Sequence, residues 1–245
     1  MTRRWHTPRL FAWLLLAAGL AVFTALGHWQ WGRAQEKEQL LAAYAAAERA
    51  PPQALAAVAD AALGERLPRV SVRGRYVAER GYLIDEQPRD GRVGVLVLAL
   101  FEPDGTARKL LVNRGWLPWS HAPGSQPTVP PLPRGEVELL GLYAPPPGGG
   151  LRIGGNALER QTRWPKLTLY VDLPQMAADL GATLYPRLLL QDADPASGFV
   201  RAWTPAVMPP ARHRAYAVQW WSFAAVALVI FIVLHWRKPA PPESP

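Results

Sequence analysis

The chain has 245 residues, 27 Lys and Arg against 19 Asp and Glu for a net charge of +8, and no cysteine. Without cysteine it forms no disulfide, holds no thiolate-bound metal, runs no Cys-x-x-Cys redox chemistry and attaches no c-type haem covalently. About half of the excess charge lies in the short tails. The rest is dispersed among acids, the pattern of a solvated surface with some attraction to lipid headgroups rather than of nucleic-acid binding.

Residues 10–31 and 215–236 are apolar and free of charge, each long enough for a helix to cross a hydrocarbon core, which takes roughly 20 residues. Arg3, Arg4 and Arg9 precede the first, and Arg237 and Lys238, opposed only by Glu243, follow the second. Basic residues in short flanks mark the cytoplasmic side, so both tails are expected inside and the middle of the chain outside. Trp5, Trp13, Trp29, Trp31, Trp220, Trp221 and Trp236 suit interfacial belts at the ends of these spans. A cleaved signal peptide is the competing reading of the first segment, with Ala25-Leu26-Gly27 as its end and a weak twin-arginine signal at Thr2-Arg3-Arg4. The apolar run is longer than a signal core and ends in tryptophans, which favours a retained span.

Residues 32–50 carry Leu40, Leu41, Tyr44 and Ala47 at helical spacing and predict a helix leaving the membrane, stopped by Pro51-Pro52. A short helix over 54–63 is expected to end at Gly64. Val70, Val72, Gly74 and Tyr76 then alternate with Arg69, Ser71, Arg73 and Arg75, a half-buried strand, with 82–85 as its partner. The apolar run 93–101 and residues 109–116 predict a hairpin about the turn Pro103-Asp104-Gly105. A proline-rich loop over 117–133 leads to a strand at 136–143, and 145–155 is too rich in Pro and Gly to be an element. Strands at 167–172 and 184–191 are expected around a short helix at 174–180. This predicts a membrane-anchored α+β protein: N- and C-terminal transmembrane helices frame one β-rich extracytoplasmic domain, a barrel or sandwich of about seven strands. The divisions are a tail 1–9, a span 10–31, the domain 32–214, a span 215–236 and a tail 237–245.

Three segments stand out. The first span ends Leu26-Gly27-His28-Trp29-Gln30-Trp31-Gly32-Arg33 with Lys37 beyond, which as an isolated segment is an aromatic belt with snorkelling cations. The hairpin's second arm reads Asn113-Arg114-Gly115-Trp116-Leu117-Pro118, a strand end whose tryptophan fills the core and whose glycine lets backbone approach. The second span is approached through His213-Arg214-Ala215-Tyr216-Ala217-Val218-Gln219-Trp220-Trp221. Together these resemble the surfeit locus protein 1 family. The matching positions are Gly27, Trp29, Gln30, Arg33 and Lys37; Asn113, Arg114, Gly115, Trp116 and Pro118; and His213, Tyr216, Ala217 and Trp220. Gly74, Tyr76, Trp164-Pro165 and Trp203 match more weakly, Trp221 stands where the family usually has phenylalanine, and residues 51–67 carry no motif of the family.

The resemblance implies a factor for cytochrome c oxidase assembly in a bacterial inner membrane, with a periplasmic middle domain. Its implied partners are the catalytic subunit of the oxidase, haem a synthase and the lipid bilayer, with no nucleic acid. It also implies haem a held at His213 against Tyr216 and Trp220. From the residues alone, His213 reads first as an interfacial histidine bonded to headgroups or protein, since five histidines are scattered without ligand spacing; the resemblance reverses that order. His28 lies at similar depth but at no motif position. The chain carries no Gly-x-Ser-x-Gly, His-Glu-x-x-His, P-loop or dinucleotide-binding pattern, so no enzyme activity is expected. A scaffold that never binds haem and a membrane-anchored envelope sensor remain the alternative readings.

Overall fold

The computed structural model describes residues 4–64, 66–121, 127–147, 156–205 and 207–237. In chain order its elements are β1 (Arg4–Trp5), α1 (Leu10–Arg49), β2 (Gln53–Ala54), α2 (Leu55–Val58), β3 (Arg69–Arg89), β4 (Arg92–Pro103), β5 (Leu110–Pro118), β6 (Glu136–Ala144), β7 (Lys166–Thr168), α3 (Leu173–Leu180), β8 (Leu188–Gln191), α4 (Pro210–His235) and β9 (Trp236–Arg237). They fall into two compact units, Met1–Ala42 with Pro205–Pro245, and Ala43–Thr204. The glycine run 148–150, parts of both predicted loops, and the basic residues Arg3 and Lys238 lie outside the described residues.

In the first unit, α1 and α4 are both long and apolar enough to cross a membrane, and few of their residues are buried. Two apolar helices at the two ends of the chain fit membrane anchoring. The predicted exit helix is no separate element. Alanine and leucine carry helix propensity through the polar residues after Gly32, so one helix of 40 residues runs to Arg49 and stops before Pro51. At 1.5 Å per residue it is about 60 Å long, roughly twice a hydrocarbon core. The helices pack antiparallel: Trp13 meets Phe231 at 4.8 Å between ring centroids, Phe23 meets Trp220 at 6.0 Å, and Trp31 meets Trp221 at 5.9 Å. Before the first turn of α1 and after the last turn of α4, β1 and β9 pair antiparallel.

The second unit is a mixed seven-stranded sheet. Strand β3 is 21 residues long and is the correction to the predicted pairing: residues 82–85 continue the strand of 70–76 instead of lying against it. A register shift between Tyr76 and Gly81 breaks the alternation there and reads in sequence as a turn. Strand β3 pairs with β6 from Arg69 opposite Leu142 through Arg75 opposite Glu136, with β4 on both sides of the irregularity from Gly74 opposite Pro103 to Arg89 opposite Arg92, and beyond it, in parallel, with β7. The β4–β5 hairpin forms as expected, β5 pairs parallel with β8, and β8 pairs antiparallel with β6. The ladders leaving β3 through β4 thus return to it through β6.

Short elements came out shorter than predicted. Helix α2 is a single turn, although Ala59 and Leu63 beyond it still reach the core. β7 ends at Thr168, and β8 begins at Leu188, with Leu184 making only an isolated bridge to Lys109. Helix α3 is set by its ends: the Asp172 side chain accepts from Gln175 N at 3.1 Å, and Gly181 closes it at a φ of 60°. Alternate residues of the strands fill the interior, with Val70, Val72, Phe101, Leu110, Val112, Leu139, Tyr143 and Leu189 in one cluster. Tyr82, Leu98, Leu111, Leu142, Met176 and Leu188 belong to a second.

Candidate functional site

The helix pair brings the first and third sequence motifs together. Gly27 is buried, and a Cβ built on it would run into the indole of Trp221, so glycine is required for the two helices to close here. One turn on, His213 Nδ1 lies 2.8 Å from Gln30 Oε1. With the amide oxygen as acceptor, Nδ1 carries the proton and Nε2 keeps its lone pair. Arg214 forms an ion pair with Glu38 and stands over the Trp31 ring at 5.9 Å. Ala217 is fully buried, small enough for close helix contact. Tyr216 is exposed, and Trp220 stacks on Phe23 and lies edge-on to Phe223. His28 goes elsewhere: its Nδ1 bonds the Thr24 carbonyl at 2.9 Å and its ring meets Trp221 edge-on at 5.6 Å. Among the described residues no hydrogen bond or ring contact joins His28 to His213, and no cluster of three His, Asp or Glu side chains could hold a metal ion. Arg33 pairs with Glu36 one turn away, Trp29 is exposed, and Lys37 is half-buried.

The middle motif builds a second, separate cluster in the β-rich unit. A register shift between Val97 and Leu98 leaves Arg114 as the extra residue of β5. The Asn113 side chain holds that bulge by accepting from Gly115 N at 3.1 Å. Gly115 sits at a φ of 129°, and a Cβ there would stand 2.6 Å from Phe199 Cβ. Without a side chain at this position the segment around Val200 can lie against β5, exchanging two backbone hydrogen bonds with Trp116 at 2.9 and 3.0 Å. Trp116 is 5% exposed and donates its Nε1–H to the Gln87 carbonyl at 2.8 Å. Arg114 is buried, donating from Nη1 and Nη2 to the carbonyls of Pro130 and Pro131. Pro118 closes β5 at the surface.

A family model described as the SURF1 family matches residues 17–225. The chain belongs to the SURF1 family. A SURF1-like protein of Monosiga brevicollis is 28% identical over an alignment of 236 residues that covers 91% of this chain and 87% of that protein. The SURF1 family is one of cytochrome c oxidase assembly factors. The match runs from within α1 into α4, so it takes in both clusters.

Two features of this SURF1-family chain were outside what its sequence revealed. The contacts Gly27–Trp221 and Gln30–His213 join residues more than 180 positions apart, and nothing local signals them. The packing of Phe199, Val200 and Arg201 on β5 is likewise non-local. Arg201 donates from Nε to the Arg114 carbonyl at 2.7 Å and from Nη1 to the Asp192 carbonyl at 2.9 Å. The only hint was Trp203, a weak motif match, whose Nε1–H bonds the Gln191 carbonyl at 2.7 Å and ties the end of this segment to β8.

Proposed function

We propose that this chain assists assembly of cytochrome c oxidase from the periplasmic face of a bacterial inner membrane, holding haem a on His213 for delivery to the catalytic subunit. In this reading both tails are cytoplasmic, residues 32–214 are periplasmic, haem a synthase supplies the haem, and the chain catalyses no reaction of its own. The circuit of ladders from β3 through β4, β5, β8 and β6 supports a small barrel for the β-rich part.

The observation that carries the haem reading is the Gln30–His213 hydrogen bond. A ligating imidazole is ordinarily oriented by such a bond through its second nitrogen, which fixes the tautomer and leaves the other lone pair for the metal. His213, Tyr216 and Trp220 follow one another at three- and four-residue spacing on one face of α4, so one nitrogen donor stands beside aromatic surface suited to a porphyrin. Haem bound there would supply an iron able to take a nitrogen ligand; the chain contributes the imidazole, its orientation and the aromatic wall.

The test is spectroscopic. His213→Ala should abolish or shift the Soret absorption of haem a added to the purified protein, with protein level and membrane insertion unchanged. Gln30→Ala should weaken haem affinity by about 10–100-fold, the usual cost of losing the partner that orients a ligand. An unchanged spectrum and full affinity in His213→Ala would end the haem reading. The scaffold reading has one observation in its favour: the contacts of Gly27, Gln30 and His213 also suffice to pair two helices. It expects no Soret band in the parent protein after haem a is supplied. Normal haem content in the oxidase of a deletion strain would favour an envelope sensor instead.

Topology has its own check. A reporter active only outside the cytoplasm should give signal when fused after Gly149 and none when fused after Pro245, given the basic tails and the two apolar helices. A mature protein that begins near His28 would contradict the two-span arrangement.

A further inference from the structure

Beneath residues 130–133 lies a pocket of about 320 Å³ lined by Tyr76, Arg114, Pro131, Gln191, Asp194 and Arg201. Two guanidinium groups meet it, and among the described residues their hydrogen bonds go to backbone carbonyls: Arg114 to Pro130 and Pro131, Arg201 to Arg114 and Asp192. A guanidinium has five N–H donors, so each retains several. Among the described residues neither cation has a carboxylate in ion-pair range. Asp192 gives its carboxylate to Arg69, and Asp194 Oδ1 accepts from Ala196 N at 3.0 Å. Both cations flank the Phe199 ring, at 4.7 and 5.8 Å from its centre. Burial pushes both guanidinium groups down from their usual value, and Arg201 repels Arg114 further.

The pocket wall also holds polar atoms without partners. The Tyr76 hydroxyl and Gln191 Oε1 are buried and unbonded. Burial pushes the Tyr76 phenol up to about 12, so at neutral pH it stays a donor. A half-turn of the Gln191 amide would present its NH2 at the same wall. Two like charges, one buried and one half-buried, with spare donors are costly unless an anion joins them. Asp194, in the same lining though not in ion-pair range, offsets part of the positive charge, which favours a monoanion over a dianion. Tyr76, Arg114 and residues 130, 131 and 133 also line an adjoining cavity of about 690 Å³, which Val97, Leu98 and Ala99 help to enclose.

We propose that this pocket binds the carboxylate of an organic acid, gripped by Arg114 and Arg201 with the Tyr76 hydroxyl donating to it, while the adjoining cavity takes the ligand's apolar body. The site is independent of His213 and stands whether or not haem binds.

The full-length protein in detergent micelles, titrated with benzoate and followed by thermal unfolding, tests this. Benzoate should raise the melting temperature saturably and at lower concentration than acetate. Benzyl alcohol and sodium chloride of equal ionic strength should not. Arg201→Gln should remove the response. Because that variant can fail to fold, Tyr76→Phe is the sharper probe: it keeps the ring and loses only an unbonded hydroxyl. It should melt no lower than the parent without ligand, yet bind benzoate about tenfold more weakly, as expected for one lost hydrogen bond to a charged group. Equal responses to benzyl alcohol or sodium chloride would overturn the proposal. So would phosphate binding more tightly than benzoate, or benzoate binding unchanged in Tyr76→Phe.

Discussion

Lys166→Met should destabilise the β-rich unit by about 3–5 kcal/mol, the usual cost of removing one partner of a buried ion pair. Lys166 is 7% exposed, and its Nζ donates to the Leu158 carbonyl at 3.0 Å and to Asp179 Oδ1. The second Asp179 oxygen accepts from the Tyr82 hydroxyl at 2.9 Å, and Lys166 lies over the Trp164 ring at 4.7 Å. One cluster therefore ties β7, α3 and β3 together. Methionine replaces the stem but leaves the Asp179 carboxylate buried without its cation. Against a total stability of about 5–15 kcal/mol, that is a large fraction. The double variant Lys166→Met, Asp179→Leu should recover much of the loss, because neither charge of the pair then remains buried. Urea unfolding of the full chain, followed by tryptophan fluorescence, measures both. A midpoint unmoved by Lys166→Met would show that the pair carries no stability.

Trp116→Ala should lower stability by a similar amount, about 3–5 kcal/mol, from lost burial and the cavity left behind. It also strips the Gln87 carbonyl of its 2.8 Å hydrogen bond. The indole reaches across from β5 to the end of β3, so its loss loosens strands far apart in sequence. Reduced cellular abundance should accompany the lower urea midpoint. Trp116→Phe keeps most of the apolar contact and should recover most of the stability. Normal abundance and stability together with lost oxidase activity would instead make this segment a partner contact.

Trp116 and Lys166 differ in how far the sequence announced their burial. Trp116 was expected in the core because an apolar arm with tryptophan at its end has few other places to go. Lys166 carried no such sign: a lysine in a short strand reads as surface, and its burial depends on Asp179 arriving from α3. The same division runs through the β-rich unit. Hairpin β4–β5, strand β6 and helix α3 were legible because their period, turn residues and caps are local. The continuation of β3 through residues 77–80 was not, because a bulge and a turn both interrupt alternation in sequence and are distinguished only by the strands that pair on either side.

By itself the sequence determined two charge-free apolar segments and a β-rich middle, since length, charge and periodicity are properties of short windows. It also marked the residues of three motifs and, through them, the family. Only the tertiary structure decided what those residues do for one another. Gln30 meets His213 and Gly27 receives Trp221 because two antiparallel helices close on each other. Gly115 admits Phe199, and Arg114 and Arg201 come to share a pocket with Tyr76, because strand β5 and a returning segment pack side by side. These are contacts between residues distant along the chain, formed where packing of the whole fold leaves room, and no local pattern in the sequence encodes which residue fills it.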